Sequence, residues 1–530
     1  MSVPYLLQHL VNRAAERDPA RPALVYGGQA LSYAELDDAV ARFANGVVAI
    51  GTGRGERVGI WLEKRFETVV AAFGTAAAGC VFVPLNPLLR PSQVGYILRD
   101  CNVRVLVTSP ERLALLDEVL PECNDLRHIV VSGGDDALEN RTRPVHAWES
   151  LLDAARQVPH RVIDDDVLAI LYTSGSTGRP KGVVLSHRNM VAGATSVASY
   201  LRNHADDTIL AALPLSFDAG FSQLTTGFHA GARVVLLNYL VPKDVLNAVV
   251  AHRVTGLTAV PPLWIQLSQL SWPEQAAQHV RYIANTGGRM PEETLRALRK
   301  QLPSTQPFLM YGLTEAFRST YLPPEEVDRR PDSIGKAIPN AEILVLRDDG
   351  TPCAVDEPGE LVHRGALVGL GYWNDPAKTA ERYKPLPGRE SGLVMPEIAV
   401  FSGDTVRKDA DGFLYFIGRR DEMIKTSGYR VSPTEIEEVL YATRKIGECA
   451  AFGVDHPVLG QAIAVVVTAA DGERVDIAEL ARHCRDRLPA YMIPSKIHVH
   501  EGSLPRNPNG KIDRKAIAAD LATAADGGAP

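Results

Sequence analysis

Three features of the sequence predict an α/β protein with parallel sheets and more than one domain. Short apolar runs at 57–62, 81–85, 103–107 and 128–131 alternate with segments at helical spacing, the order of a parallel sheet rather than a sandwich. A loop crowded with Gly, Ser and Thr follows directly on another apolar run at 167–171, which reads as a buried strand. The chain has 530 residues, more than one core comfortably holds.

Composition narrows the class. Apolar residues make up 45% and charged residues 22%, ordinary for a globular protein. A formal net charge of −7 supplies no general attraction to nucleic acid or to an anionic membrane. Six cysteines (Cys80, Cys101, Cys123, Cys353, Cys449 and Cys484) form no close pair, which argues against a disulfide framework or a zinc site and fits a reducing cytosol. The early apolar patch at 5–7 is too short for a signal-peptide core. No apolar run approaches the ~20 residues of a membrane span. The expectation is a cytoplasmic protein with no membrane insertion and no nucleic-acid partner.

Taken in order, the chain first offers Ser32 and Glu35 as a capping box, with Leu36, Val40, Phe43 and Val47 recurring at helical spacing behind it. A small-residue helix is expected at 68–78 between two of the apolar runs. The loop is Thr173-Ser-Gly-Ser-Thr-Gly-Arg-Pro-Lys181. Its hydroxyls, unencumbered N–H groups and one cation make a cradle for phosphate oxygens, although a Gly/Ser-rich surface turn has the same composition. The spacing is not that of a P-loop NTPase, because Lys181 follows Pro180 and precedes Gly182.

Further on, Leu213-Pro-Leu-Ser-Phe-Asp-Ala-Gly220 reads as a strand end turning into a helix, with Asp218 as its N-cap. Gly287 and Gly288 form a turn after a strand. Tyr311-Gly-Leu-Thr-Glu315 follows another strand, and its Glu315 is an oxygen ligand suited to Mg²⁺. Residues 359–362 and 371–374 read as packing in a smaller β-rich segment. Asp409-Ala-Asp-Gly412 is a hairpin turn. Ser432, Pro433 and Glu435 make a second capping box with Pro at the first helical position. A strand at 462–469 and a helix from Asp476 come next. Asn509-Gly510 is a tight turn presenting Lys511, and the small, polar stretch 522–530 is expected to be disordered.

From about residue 22 to 520, these segments and their order resemble the adenylate-forming superfamily of acyl-CoA synthetases, peptide-synthetase adenylation domains and luciferases. The resemblance implies a large N-terminal domain (1–418) of parallel α/β sheets with a β-rich segment, a hinge at 419–421, and a small mobile α+β C-terminal domain (422–521). It implies that Thr173, Ser174, Gly175, Ser176, Thr177, Gly178 and Lys181 hold the β- and γ-phosphates of Mg·ATP. Gly287, Gly288, Tyr311 and Gly312 would border adenine and the acyl group. Thr314 and Glu315 would meet the α-phosphate and magnesium, and Asp404 and Arg419 the ribose.

Phe217 and Asp218 would line the carboxylate pocket, Asp421 would be the hinge, Gly428 and Arg430 would approach the thiol channel and the phosphate, and Lys511 would be the catalytic lysine. The implied reaction forms an acyl-adenylate and pyrophosphate, then passes the acyl group to the thiol of CoA or of a carrier protein's phosphopantetheine. The stretches 216–228 and 311–325 are similar to acyl-CoA ligases of the exosortase-A-associated type. The Phe-Asp pair is similar to adenylation domains whose Asp holds a substrate amino group, which leaves a stand-alone amino-acid adenylating enzyme as the alternative. The joint presence of Thr314, Glu315, Asp404, Arg430 and Lys511 counts against a non-catalytic nucleotide-binding module.

Overall fold

The computed structural model describes residues 3–133, 143–173, 180–387, 395–420, 422–426, 429–456, 459–488, 490–507 and 510–526. Its architecture is the expected α/β one, in three sheets. An eight-stranded sheet runs, in spatial order, Gly371–Tyr372, Lys181–Ser186, Val167–Thr173, Val81–Pro84, Arg57–Trp61, Val103–Thr108, His128–Val131 and Val145–Ala147. It is parallel from Val167–Thr173 onward and antiparallel at its first two members. A fourteen-stranded sheet carries Thr208–Ala211, Gly256–Ala259, Tyr282–Asn285 and Gln306–Tyr311 side by side in parallel. It continues into antiparallel strands that include Gly359–Gly365, Ile398–Lys408 and Leu414–Arg419. The third sheet has five strands between Ile424 and Val499.

The two large sheets share one core. Helices Phe66–Ala78 and Asp218–Ala230 are buried along almost their whole length. The first is apolar nearly all round, as a helix between two packing layers must be, while the second also buries Ser222, Gln223, Thr225 and Thr226. Phe221 stacks on Phe82 at 4.9 Å and on Phe73 at 5.9 Å, joining helix to helix and helix to sheet. The expected Ser32 capping box is present: Glu35 N–H donates to Ser32 Oγ at 3.2 Å, and Ser32 N–H to Glu35 Oε2 at 2.8 Å. All six cysteines are free thiols. Among the described residues no helix is long and apolar enough to cross a membrane.

Four local expectations are corrected. Phe217, not Asp218, is the N-cap of helix Asp218–Ala230, and no side chain caps it. Ser432 caps helix Pro433–Tyr441 by position but not by hydrogen bond, because its hydroxyl pairs with Thr434 Oγ1 at 2.7 Å instead. Gly371–Tyr372 joins the parallel sheet through Lys181–Ser186 rather than the β-rich segment. The last helix, Arg514–Asp526, carries regular structure into the stretch expected to be disordered from 522.

Candidate active site

The cleft is assembled from strand ends of the fourteen-stranded sheet and one loop of the small sheet's unit. That loop is held from several sides. Glu448, itself buried, accepts from Leu504 N–H at 2.6 Å and pairs with Arg506, whose Nη1 donates to Gly510 O at 3.0 Å. Lys511 N–H donates to Asn507 Oδ1 at 3.1 Å, and Asn507 N–H returns a bond to Lys511 O at 2.8 Å. The lysine is thereby delivered to Gly287. A Cβ built on Gly287 would stand 3.2 Å from Lys511 Cε and 3.1 Å from Val260. Gly287 also has φ of +78°, a left-handed backbone in which a side chain adds strain. Glycine here serves both backbone and neighbour. Lys511 keeps solvent access, yet the protein crowding the cleft lowers its ammonium below the usual lysine range, with Asp218 and Asp404 opposing that shift.

Asp404 faces Arg419 as its cross-strand partner, with Arg419 Nε 3.9 Å from Asp404 Oδ1. Its other oxygen, Oδ2, accepts from Tyr311 OH at 2.5 Å. The sequence expectation used Tyr311 only as a face for adenine, whereas the structure also makes its hydroxyl the anchor of Asp404. Oδ1 is buried and takes no hydrogen bond among the described residues, and burial raises the carboxyl above its ordinary range. An acceptor left open in a cleft suits a ligand hydroxyl.

Glu315 lies on the short turn Thr314–Ala316 after strand Gln306–Tyr311. Its Oε1 accepts from Tyr372 OH at 2.6 Å. The Lys181 ammonium stands 5.6 Å from the centre of the same Tyr372 ring, and burial lowers it. Thr173 and Lys181 are directly opposite across their hairpin. Ser174, Gly175, Ser176, Thr177 and Gly178, together with Asp421 and Gly428, lie outside the described residues, as does the side chain of Arg430. Tyr372 was read as packing in the sequence, yet it connects the loop's lysine to the candidate magnesium ligand. Among the described residues no group of three or more His, Cys, Asp or Glu is arranged to hold a metal. A single carboxylate suits an ion that arrives with phosphates and water.

The acyl side differs from the sequence picture. Asp218 is 8% exposed, and its Oδ2 pairs with Arg318 Nη1 at 3.0 Å. Arg318 is 2% exposed. Oδ1 of Asp218 lies 3.5 Å from Thr314 Oγ1. Gly220 allows the helix to begin here, because a Cβ on it would meet Pro214 O at 1.7 Å. Phe217 joins the apolar cluster of Leu213, Ala259 and Val260. Gly288 and Gly312 also leave little room for a side chain, a Cβ standing 3.1 Å from Pro261 and 3.2 Å from the Arg318 backbone respectively. Arg318 was not singled out in the sequence. A lone arginine inside the otherwise apolar and small run after Glu315 was the available signal.

Residues 11–373 match the family described as AMP-binding enzyme, and residues 435–511 match the AMP-binding enzyme C-terminal domain. The chain is 35% identical over 520 residues to an L-proline–[L-prolyl-carrier protein] ligase of Streptomyces coelicolor, covering 94% of each protein. It is 32% identical over 510 residues to a feruloyl-CoA synthase of Amycolatopsis sp, covering 94% of this chain and 96% of that one. A linear gramicidin synthase of Brevibacillus parabrevis is 31% identical over 98% of this chain, which spans 6% of that protein's length. Among solved structures, o-succinylbenzoate coenzyme A synthetase of Bacillus subtilis, in complex with ATP and magnesium ion, superposes with a TM-score of 0.79 at 27% identity, covering 95% of this chain and 98% of that one. The chain belongs to the AMP-binding enzyme family of adenylate-forming ligases.

Proposed function

We propose that this chain activates a carboxylic acid that brings no ammonium group to Asp218, and transfers it to a thiol. The substrate carboxylate oxygen attacks the α-phosphorus of Mg·ATP and pyrophosphate leaves. The thiol sulfur of CoA, or of a carrier protein's phosphopantetheine, then attacks the acyl carbon, AMP leaves, and the thiol proton passes to solvent. Such chemistry rests on positioning and charge neutralisation rather than on a protein nucleophile.

Lys511 supplies the charge between carboxylate and α-phosphate, with Thr314 beside it. Asp404 and Arg419 take the ribose, and Tyr311, Gly287, Gly288 and Gly312 shape the adenine side. Thr173, Ser174, Gly175, Ser176, Thr177, Gly178 and Lys181 take the outer phosphates. Glu315, held by Tyr372, is the magnesium ligand. For the second step the small domain turns about Asp421, which withdraws Lys511 and brings in Gly428 and Arg430, a hinge motion with two working states.

The observation that carries this reading is Lys511 packed against Gly287, at the mouth of a cleft where Asp218 and Asp404 both act on its ammonium. The alternative, an amino-acid adenylating enzyme that loads a peptidyl carrier protein, draws on the identity to the prolyl ligase. Arg318 weighs against it, because a substrate ammonium at Asp218 would face a guanidinium already in place.

The test is Lys511→Ala in the separate half-reactions. Acid-dependent ATP–pyrophosphate exchange should fall by ~10²–10³, the usual cost of losing one group aimed at developing charge. Thioester formation from preformed acyl-adenylate should persist. Equal losses in both steps would remove Lys511 from this role, and a wild-type enzyme inert toward every acid would refute the reading.

A further inference from the structure

A narrow cavity lies between helices His187–Tyr200 and Asp218–Ala230 and the strands of the fourteen-stranded sheet, with Ala219, the neighbour of Asp218, in its wall. Its wall is mostly apolar, with Val197, Ile209 and Met310 among its members. Its polar members are unequal. Gln223 is fully engaged, donating to Leu210 O at 2.7 Å and accepting from Leu213 N–H at 3.2 Å. Ser222 and Thr226 offer hydroxyls whose mutual separation is 3.4 Å. Arg318 also lines the cavity, and its Nε is buried with no hydrogen-bond partner among the described residues. A buried guanidinium N–H without an acceptor is costly unless a ligand or water completes it.

From this geometry we infer that Arg318 is a specificity-determining residue, whose Nε–H receives a neutral hydrogen-bond acceptor, a hydroxyl or oxo group, on the carbon chain of the acid. The inference rests on the adenylation reading above and names the class of acid. Charge selects among the possible groups. The Asp218–Arg318 pair is already neutral as a unit, both side chains being 11% exposed or less. An added ammonium leaves a net positive charge in a dry site, and an added second carboxylate leaves a net negative one, both heavily penalised. A hydroxyl or oxo group satisfies Nε without changing the charge, and the hydroxyls of Ser222 and Thr226 accommodate its remaining hydrogen-bonding capacity. A plain hydrocarbon acid would leave Nε unmet. Sites built around a buried polar group discriminate strongly against analogues that lack its partner.

The experiment is ATP–pyrophosphate exchange by the full chain with acids of one carbon skeleton carrying hydrogen, hydroxyl, oxo, amino or carboxyl at the same carbon. The wild type should favour the hydroxy or oxo acid over the unsubstituted acid by at least ~10-fold in kcat/KM. In Arg318→Lys, which keeps a cation opposite Asp218 but lacks the Nε donor, that ratio should collapse to within ~3-fold, with a KM increase confined to the substituted acids. The neutral double variant Asp218→Asn/Arg318→Gln guards against a folding defect in the first. It should still give a thermal shift with ATP while showing the same loss of preference.

A wild type that uses the unsubstituted acid equally well, or a preference that survives both variants, assigns Nε to a buried water and overturns the inference while leaving adenylation standing. A preference for the amino acid or the diacid also overturns it. Absence of exchange with every acid overturns the adenylation reading itself, and this inference with it.

Discussion

The nucleotide end and the acyl end of the cleft handle charge in opposite ways. At the nucleotide end, Asp404 holds one oxygen on Tyr311 and leaves the other without a hydrogen-bond donor among the described residues. Lys511 Nζ has no carboxylate within ion-pair distance among the described residues, although Asp218 and Asp404 act on it from further away. At the acyl end, Asp218 and Arg318 close on each other at 3.0 Å and are nearly excluded from solvent. An open acceptor on Asp404 suits a ligand hydroxyl, and an open ammonium on Lys511 suits the negative charge of a nucleotide triphosphate. A closed pair suits a neutral guest, and it denies an ammonium the free carboxylate that an isolated Asp218 would have offered. One residue type thus stands differently at the two ends: Asp404 keeps one oxygen open among the described residues, and Asp218 is already paired with Arg318.

The largest expected effect separates those two conditions. Asp218→Ala leaves the Arg318 guanidinium buried without its carboxylate, and breaking a buried pair from one side costs ~3–5 kcal/mol. The cost should be seen as a lowered thermal or urea midpoint, and Asp218→Asn/Arg318→Gln should recover most of it, since removing both charges leaves none uncompensated. Asp404→Asn at the open end should cost far less stability, because burial already favours its uncharged form. Equal destabilisation by Asp218→Ala and Asp404→Asn would erase the contrast.

A smaller effect is expected at Tyr372. Tyr372→Phe removes the donor 2.6 Å from Glu315 Oε1. A hydrogen bond to a charged group is worth ~1.5–3 kcal/mol. Glu315 keeps partial solvent access, so water replaces some of that, and the expected loss is near the lower figure, roughly tenfold in adenylation kcat/KM. The magnesium concentration for half-maximal exchange should rise in parallel, with the thermal midpoint unchanged. A variant with unaltered magnesium dependence would make Tyr372 the packing residue that its sequence context suggested.

These residues also mark which candidates a sequence can offer and where it stops. Thr314, Glu315, Asp404 and Lys511 could be singled out as candidates because each sits in a short string whose local turn presents it, so a few neighbours mark it. Tyr372 and Arg318 could not, because their meaning is set by contacts across 57 and 100 residues of chain, and neither strand Gly371–Tyr372, two residues long, nor a lone arginine carries a periodic signal. The alternation of strands and helices was read correctly because period and apolar runs are local properties. The failed capping box at Ser432 shows the limit of a local pattern. The Ser-Pro-Thr-Glu string is present, yet a second hydroxyl at Thr434 competes for the serine, and a pattern of residue types does not say which partner wins.

The smallest expected effect concerns the surface that holds the two units together in this arrangement. Arg444 Nε donates to Glu293 Oε2 at 2.6 Å, and Glu438 Oε1 accepts from Glu292 N–H at 3.0 Å, at the start of helix Glu292–Gln301. Arg289 adds a longer approach to Glu438, at 3.8 Å. These contacts exist while Lys511 lies in the cleft, and if the proposed turn about Asp421 breaks them, they would bias the enzyme toward adenylation. The bias is small. Arg444 is 69% exposed along its side chain, and exposed pairs contribute ~0.2–1 kcal/mol. Arg444→Ala should therefore shift the ratio of adenylation to thioester transfer by no more than about fivefold, toward transfer. Because the pair is open to solvent, the difference between wild type and variant should shrink as salt rises from ~0.01 M to ~1 M, where screening acts within about 3 Å. The contrast with Asp218–Arg318 is then testable in one series, since a pair shut away from solvent should hardly respond to the same salt. A shift that persists undiminished at high salt would place the contribution of Arg444 in packing rather than in charge, and no shift at any salt would mean that the pair forms without favouring either half-reaction.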